Sequence, residues 1–138
     1  MIFKESKPIY LQIADRICDE ILQGTYGEGE RIPSVREYAA LVEVNANTAM
    51  RAFDFLQNQS VITMKRGIGY YVTAGAGKRI LTYRRETFYN EELYEFFHQI
   101  HTLGLSIEEI TSLYHKYEQA IQQNATFTED NKTKSQKK

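Results

Sequence analysis

Apolar side chains recur every three or four residues in the first part of the chain, which predicts an amphipathic helix with one buried face. The helix follows Lys7 and begins at Pro8, because the missing N–H of a proline needs no partner in the first helical turn. We expect its apolar stripe to pack into a core. The stripe consists of Ile9, Ile13, Ala14, Ile17, Cys18, Ile21 and Leu22.

Two shorter helices are predicted after a loop over Gly24–Pro33, which holds three glycines and a proline. Ser34 stands three residues before Glu37, the spacing of a capping box, so the second helix begins there. Asn45 is the predicted N-cap of a third helix that ends near Asn58. The positions of the third helix expected to be buried are Ala49, Ala52, Phe53 and Leu56.

Two β-prone runs come next, at Val61–Lys65 and Tyr70–Thr73, and the glycines between them, Gly67 and Gly69, favour a tight turn. These runs predict a β-hairpin. Three helices and a hairpin, with the second and third helices joined by a short turn, predict a winged helix-turn-helix. In that architecture the third helix enters the major groove of DNA.

The third helix opens with more short polar side chains than an N-cap requires, which indicates a surface for recognition. Backbone N–H groups and the helix dipole already favour a phosphate oxygen at that end. The second helix crosses the DNA backbone in such proteins, and glycines at a hairpin tip let the chain approach a groove closely. The candidate contacts are Asn45, Asn47, Thr48 and Arg51 in the third helix, Arg36 in the second, and Lys65, Arg66 and Gly67 at the hairpin tip.

Charge does not mark the chain as a nucleic-acid binder by itself. Its 138 residues suit one or two small domains, and 17 Lys and Arg against 18 Asp and Glu give a net charge of −1. Residues 1–77 hold eight basic and nine acidic side chains. Any DNA-binding surface must therefore be a local patch, and we expect its salt dependence to be moderate.

The setting predicted for the chain is cytoplasmic. The single cysteine, Cys18, cannot form an intramolecular disulfide, and Met1–Lys7 lacks the hydrophobic core of a signal peptide. No apolar run approaches the ~20 residues that span a bilayer. We expect a reducing, cytoplasmic environment and no membrane partner.

Four motifs along Pro8–Val72 occur together and in one order. They are a Pro-Ile-Tyr start, a glycine-rich loop ending in "RIPSVR", the run "NxNTxxRAF" and the wing "RGIGYYV". Together they resemble the DNA-binding domain of the GntR family of bacterial transcriptional regulators, over about half of the chain. The positions that match the family's DNA contacts are Arg36, Asn45, Asn47, Thr48, Met50, Arg51, Arg66 and Gly67.

Two positions depart from the family pattern. Many members carry arginine where this chain has Ala46, and some carry it where this chain has Met50, so a base-reading arginine is missing. Ala46 is able to meet a thymine methyl, and Asn45 or Asn47 to read adenine, so we expect an A·T-weighted site. With Ala46 and Lys65 included, the resemblance and the residues together define ten candidate DNA contacts.

The segment after the wing is short. A glycine-rich stretch, Ala74–Lys78, reads as a linker, and the chain beyond it is too short for a large ligand-binding or aminotransferase-like domain. This short form resembles the YtrA-like subfamily, whose C-terminal helices dimerise and whose members often control transporter operons. Arg79–Tyr89 is either the start of the first such helix or an extended arm.

Two amphipathic helices are predicted in the C-terminal part. The first is capped by Asn90 and ends at Gly104, and the second opens with the capping box of Ser106 and Glu109. Such short helices cannot bury their apolar stripes alone, and a two-fold dimer is the commonest solution. The expected interface residues are Leu93, Phe96, Phe97, Ile100, Leu103, Ile110, Leu113, Tyr114 and Tyr117.

Two further patterns have an alternative interpretation. The tyrosines of the C-terminal helices suit dimer packing better than a ligand cage. His98 and His101, with Glu95 and His115, have helical spacing for a metal, but no further ligand completes the set, so we predict surface or interface histidines and no metal.

The sequence therefore predicts a mainly α chain with a small β-hairpin and no cofactor. Its parts are a winged helix-turn-helix over 1–75, a helical dimerisation and effector region over 76–122, and a disordered tail over 123–138. The predicted function is a homodimeric regulator, most simply a repressor, bound to an inverted-repeat operator in double-stranded DNA. Release of the DNA by a small molecule bound between the C-terminal helices is left open, since the sequence identifies no such molecule. No enzyme signature is present. The alternative is a winged-helix protein-interaction module that does not bind DNA.

Overall fold

The structure is a computed structural model that describes residues 1, 3 and 6–124 in full and residues 125–136 as the continuation of a helix. The chain divides into two compact units, Met1–Phe88 and Tyr89–Lys138. The prediction of a mainly α chain with a small hairpin is confirmed. In chain order the elements are α1 (Ile9–Leu22), α2 (Val35–Val42), α3 (Ala46–Asn58), β1 (Ile62–Lys65), β2 (Gly69–Val72), α4 (Ala76–Thr87), a π-helical turn (Phe88–Glu92), α5 (Leu93–Thr102) and α6 (Ile107–Gln136).

Helix α1 buries the middle of its predicted stripe and exposes both ends. Ile13 and Ile17 are fully buried, whereas Ile9 and Leu22 are 44% and 41% exposed. A four-residue spacing advances about 40° around a helix at each step, so a long stripe turns away from the core at its ends. The prediction that Ile9 and Leu22 are buried is therefore wrong.

The core of the first unit gathers side chains from all of its helices and both strands. The four positions predicted to be buried in α3 are all buried, and their helix packs against α1 and α2. Such burial supplies most of the favourable free energy of folding. The core cluster consists of Ile13, Ala14, Ile17, Cys18, Ile21, Ile32, Tyr38, Val42, Ala52, Phe53, Leu56, Val61, Ile62, Val72, Ala76 and Ile80.

A third extended segment, from the loop before α2, pairs with the hairpin. Strands β1 and β2 are antiparallel, with Ile62 opposite Val72 and Lys65 opposite Gly69. Arg31 forms an isolated antiparallel bridge to Tyr71 on the free side of β2. The last residues of the predicted loop over 24–33 thus pair with β2 as a short strand would, and this pairing satisfies their backbone hydrogen-bonding groups.

Helix α4 replaces the predicted glycine-rich linker. It begins at Ala76, and both Ala76 and Ile80 are fully buried in the first unit. Gly75 precedes it in the left-handed region, with φ +79°, and its N–H donates to Glu28 Oε1 at 2.7 Å. The prediction of a linker over 74–78 is wrong, because small residues here allow close packing instead of flexibility.

An ion pair ties α4 to α1. Arg84 donates from Nη2 to Asp19 Oδ1 at 2.8 Å and to the backbone oxygen of Asp15 at 3.2 Å. The stretch 79–89, which the sequence left open between helix and arm, is therefore helical to Thr87 and then enters the π-helical turn. The first compact unit ends at Phe88, beyond the boundary at 75 that the glycines suggested.

In the second unit, helices α5 and α6 leave their apolar side chains at the surface. No side chain between residues 89 and 124 is buried. The predicted N-cap Asn90 is wrong, because the chain is already helical there, whereas Ser106 Oγ does accept the N–H of Glu109 at 3.1 Å. Of the predicted interface residues, Leu93, Ile100 and Ile110 are half-buried, and Phe96, Phe97, Leu103, Leu113, Tyr114 and Tyr117 are exposed.

The predicted tail over 123–138 falls mostly on positions whose side chains lie outside the described residues, and its disorder stays a prediction. Over the part of the chain that was described, no helix is long and apolar enough to cross a membrane.

Replacing Ile80 tests whether α4 belongs to the folded core of the first unit. Ile80→Ala should lower the free energy of unfolding by about 2–5 kcal/mol, because it leaves a cavity at a fully buried position. Leu81→Ala is the matched control at a 47% exposed neighbour and should cost roughly 1 kcal/mol or less. Urea unfolding of the full chain measures both. Equal losses would mean that α4 does not pack as described.

Candidate nucleic-acid interface

The N-terminus of α2 presents Arg36 to solvent. Ser34 Oγ accepts the N–H of Glu37 at 3.1 Å, which confirms the predicted cap and fixes the start of the helix. Arg36 is exposed in the first turn of the helix. Its side chain therefore projects from the end of α2 where free N–H groups also favour an anion.

A tight turn without glycine joins α2 to α3. Glu43 adopts the left-handed conformation, with φ +58°, and the N–H of Val44 donates to the carbonyl of Ala39 at 3.0 Å. This is the αL end of a helix, at a residue type that rarely adopts it. Only three residues, Glu43 to Asn45, separate the end of α2 at Val42 from the start of α3 at Ala46.

The first turn of α3 combines a cap with an exposed polar surface. Asn45 Oδ1 accepts the N–H of Asn47 at 2.8 Å, which confirms Asn45 as the N-cap. Ala46 and Asn47 are exposed, and Thr48 is half-buried. The side-chain oxygen of Asn45 is thus already used as the cap of α3. The side chain of Asn47 is exposed and is not needed for capping.

Two aromatic contacts flank the exposed face of α3. On one flank the guanidinium carbon of Arg51 lies 4.4 Å from the ring centroid of Tyr10 in α1. On the other, the hydroxyl of Tyr70 in β2 donates to Met50 Sδ at 4.0 Å. Burial, and then the negative charge of Asp54, raise the pKa of Tyr70, so this hydroxyl stays protonated as a donor. Met50 and Arg51 are thereby both held at the surface.

The hairpin tip carries basic and apolar side chains together. Lys65, Arg66 and Gly67 are exposed, and Lys65 Nζ lies 4.3 Å from the ring centroid of Tyr71. This cation–π contact holds Lys65 along the strand, whereas Arg66 stands at the turn itself. The exposed apolar residues beside them, which sequence reasoning did not single out, are Met64 and Ile68.

Arg31 is a basic residue at the wing that sequence reasoning missed. It pairs with Tyr71, and its Nε lies 2.9 Å from the point where a Cβ on Gly69 would stand. The only sequence signal was its position at the end of a glycine-rich loop, far from the hairpin tip along the chain. Pairing across that distance cannot be seen in a local pattern.

The cations of residues 1–77 separate into two groups. Lys7 and Arg16 form ion pairs with Asp15 and Glu20 on α1. The others with described side chains lie on α2, on α3 and at the wing, and no ion pair in the described part of the chain includes any of them. They are Arg31, Arg36, Arg51, Lys65 and Arg66.

The comparisons with known proteins agree with this geometry. The family model described as "Bacterial regulatory proteins, gntR family" matches residues 9–72. The HTH-type transcriptional regulator YhcF of Bacillus subtilis is 35% identical over 108 residues, 78% of this chain and 88% of YhcF. This chain belongs to the GntR family.

Other relatives extend the match beyond the winged helix. The HTH-type transcriptional repressor YtrA of Bacillus subtilis is 32% identical over 107 residues, 78% of this GntR chain and 82% of YtrA. A GntR-family structure from Bacteroides thetaiotaomicron is 57% identical, with a TM-score of 0.73 over 80% of this chain and 97% of that one. One from Listeria monocytogenes is 36% identical, with a TM-score of 0.65, and covers 83% and 98%.

Family membership fixes the class of this protein. It is a GntR-family transcriptional regulator with a DNA-binding winged helix, as the motifs predicted. The relatives and structural neighbours named above are transcriptional regulators, which are not enzymes. The alternative of a winged-helix module without DNA binding has no support from them.

The histidines of the second unit do not converge on a metal site. His115 Nδ1 lies 3.3 Å from Glu118 Oε1, and the ring of His115 lies beside Tyr114. Within the residues searched, which are the described ones, no three His, Cys, Asp or Glu side chains come close enough to hold an ion. His98 and His101 are exposed, and their assignment as surface or interface histidines stays a prediction.

Gly69 tests whether the wing needs its close approach to Arg31. Gly69→Ala should lower the free energy of unfolding by about 1–3 kcal/mol, because φ is +133° and the new Cβ would meet Arg31. Gly77→Ala is the matched control inside α4, where the nearest atom is an ordinary 3.8 Å away, and it should stabilise by about 0.5–1 kcal/mol. Thermal unfolding ranks the two; the reverse order would contradict the described wing.

Proposed function

We propose that this GntR regulator is a homodimeric repressor that binds an inverted-repeat operator overlapping a promoter. Each subunit inserts the first turns of α3 into the major groove and sets its wing in the adjacent minor groove. The carrying observation is the uncovered N-terminal face of α3, flanked by exposed cations from α2 and the wing. That combination supports groove reading together with backbone contacts.

The phosphate contacts in this proposal come from the edges of the surface. Arg36 at the end of α2 binds the sugar-phosphate backbone, where an exposed cation beside free N–H groups is most effective. Thr48, half-buried in the first turn of α3, adds a hydroxyl to the same strand. Lys65 and Arg31 contact the DNA backbone beside the wing. Such contacts position the helix without reading sequence.

Base reading falls to the centre of the surface. Asn47 is the better adenine reader of the two asparagines, because the side-chain oxygen of Asn45 already accepts a backbone N–H. Ala46 meets a thymine methyl, and Met50 adds an apolar contact beside it. Arg66 enters the minor groove with Gly67. These side chains together favour an A·T-weighted half-site.

The exposed apolar face of the second unit supports the homodimer. Leu103 is 70% exposed and Tyr117 is 62% exposed, and other apolar side chains of α5 and α6 are similarly open. GntR regulators typically act as dimers, and a second copy covers such a face symmetrically. A two-fold dimer presents two α3 helices in opposite directions, which requires an inverted repeat.

The proposal that the protein represses transcription draws on one relative. The relative YtrA is named a repressor, and a dimer bound across a promoter excludes RNA polymerase. A small molecule that alters the dimer would release the DNA, and a transporter operon is the expected target from the family resemblance.

Selection of bound duplexes from a random DNA pool tests the proposal and supplies the operator. We expect an enriched inverted repeat, and Arg36→Glu should then weaken binding to it by 100-fold or more. Each subunit would lose a charge-assisted hydrogen bond, for about 3–6 kcal/mol per dimer. Fluorescence anisotropy at near-physiological salt measures the affinity.

Lys116→Glu is the matched control for Arg36→Glu, because it makes the same change in net charge on an exposed residue of α6. It should leave the operator affinity within about twofold, since Lys116 is not one of the proposed DNA contacts and exposed charges that do not contact the DNA are largely screened at this salt. If the two variants bind equally, Arg36 is not a DNA contact. If folded wild-type dimer enriches no duplex, the operator proposal fails.

Charge at the apolar face of α6 tests the dimer. Leu113→Asp should shift the protein from dimer to monomer, because a carboxylate would be buried without a partner. Ser112→Asp adds the same charge one residue away, off the apolar stripe, and should leave the dimer intact. Sedimentation equilibrium distinguishes them, and a dimeric Leu113→Asp variant would place the interface elsewhere.

A further inference from the structure

We propose that Tyr10, which lies outside the recognition helix, is a positioning residue that holds Arg51 in its DNA-contacting orientation. The inference rests on the proposed function, since Arg51 must meet DNA for its orientation to matter. It adds α1 to the elements that determine recognition. No DNA contact by Tyr10 itself is required.

The geometry of the pair is that of a cation–π stack. The guanidinium carbon of Arg51 lies 4.4 Å from the Tyr10 ring centroid, well inside the ~6 Å at which such attraction acts. A planar guanidinium uses one face for stacking and keeps its five N–H donors at the edge. Among the described residues no hydrogen bond or ion pair uses those donors. Because Arg51 is exposed, these donors are accessible to a ligand outside the chain.

The Tyr10 ring is itself fixed by neighbouring aromatic rings. It meets Phe55 of α3 edge to face, with centroids 6.4 Å apart, and Phe55 meets Tyr83 of α4 in the same way at 5.3 Å. Tyr10 is half-buried and packs against the core. The platform under Arg51 is therefore part of the folded unit and does not move independently.

A fixed platform matters because arginine is otherwise flexible. An exposed arginine on a helix samples many rotamers and loses that freedom when it binds DNA. Stacking on Tyr10 restricts the rotamers before binding, which lowers this cost. It also restricts which base or phosphate the guanidinium edge can reach, so specificity as well as affinity should depend on Tyr10.

The competing explanation is that Arg51 and Tyr10 only brace α3 against α1. In that case, loss of either side chain changes stability and leaves DNA reading unaltered apart from that loss. The two explanations differ in whether the effects of the two residues on DNA affinity depend on each other. A double-mutant cycle measures that dependence directly.

The experiment uses the full chain and the duplex selected from the random pool. Tyr10→Leu should weaken binding of the dimer about 5- to 30-fold, the range that one exposed cation–π contact in each of the two subunits supports, and Arg51→Ala at least as much. In the Arg51→Ala background, Tyr10→Leu should have no further effect. Tyr10→Phe keeps the ring and should bind as the wild type does. A repeat selection with Tyr10→Leu should show relaxed base preference at one position in each half-site.

Several results would overturn the inference. Additive losses in the cycle would mean that Tyr10 acts through the fold, and unchanged binding by Arg51→Ala would mean that Arg51 does not touch DNA. If Tyr10→Leu does not fold, Tyr10→Met replaces it with the same expectations. Failure of the wild type to enrich any duplex would instead refute the proposed function, and the inference with it.

Discussion

Burial of Phe53 is the contact on which the arrangement of the first unit depends. Its ring is fully buried and meets Tyr38 of α2 at 6.2 Å and Tyr70 of β2 at 4.9 Å, both edge to face. One side chain thus joins the second helix, the third helix and the wing. Because a helix turns every 3.6 residues, burying Phe53 and its neighbours forces Asn47 and Arg51 to the opposite side. The face that we propose reads DNA is therefore exposed as a consequence of how the core packs.

A polar contact fixes the other side of the same cluster. The Tyr38 hydroxyl donates to Glu20 Oε1 at 2.9 Å, and Arg16 Nε donates to the same oxygen at 3.1 Å. Burial first, and then the hydrogen bond with Glu20, raise the pKa of Tyr38, so it remains a donor at ordinary pH. Removing Glu20 would leave a buried hydroxyl without this acceptor, which costs more than the bond itself contributes. The hydrogen bond from Tyr38 to Glu20 therefore links α2 directly to α1.

What the sequence predicted well is what neighbouring residues determine. The caps at Ser34 and Asn45 and the buried face of α3 depend on spacings of two to four residues, and all were confirmed. Contacts between distant parts of the chain were missed. Arg31 lies at the wing because its backbone pairs with Tyr71. Ala76 was predicted to be part of a linker, but it packs in the core together with Ile80.

The stack of Arg51 on Tyr10 belongs to the same class of missed contacts, since no local pattern relates residues that far apart. A net charge of −1 is also compatible with DNA binding once the ion pairs are known. Asp15, Asp19 and Glu20 are paired with Lys7 and with cations of α1 and α4, whereas no ion pair in the described part of the chain includes a cation of α3 or the wing. Long-range attraction to DNA is then modest, and recognition must rely on a few well-oriented side chains. Orientation of each remaining cation consequently matters more here than in a strongly basic domain.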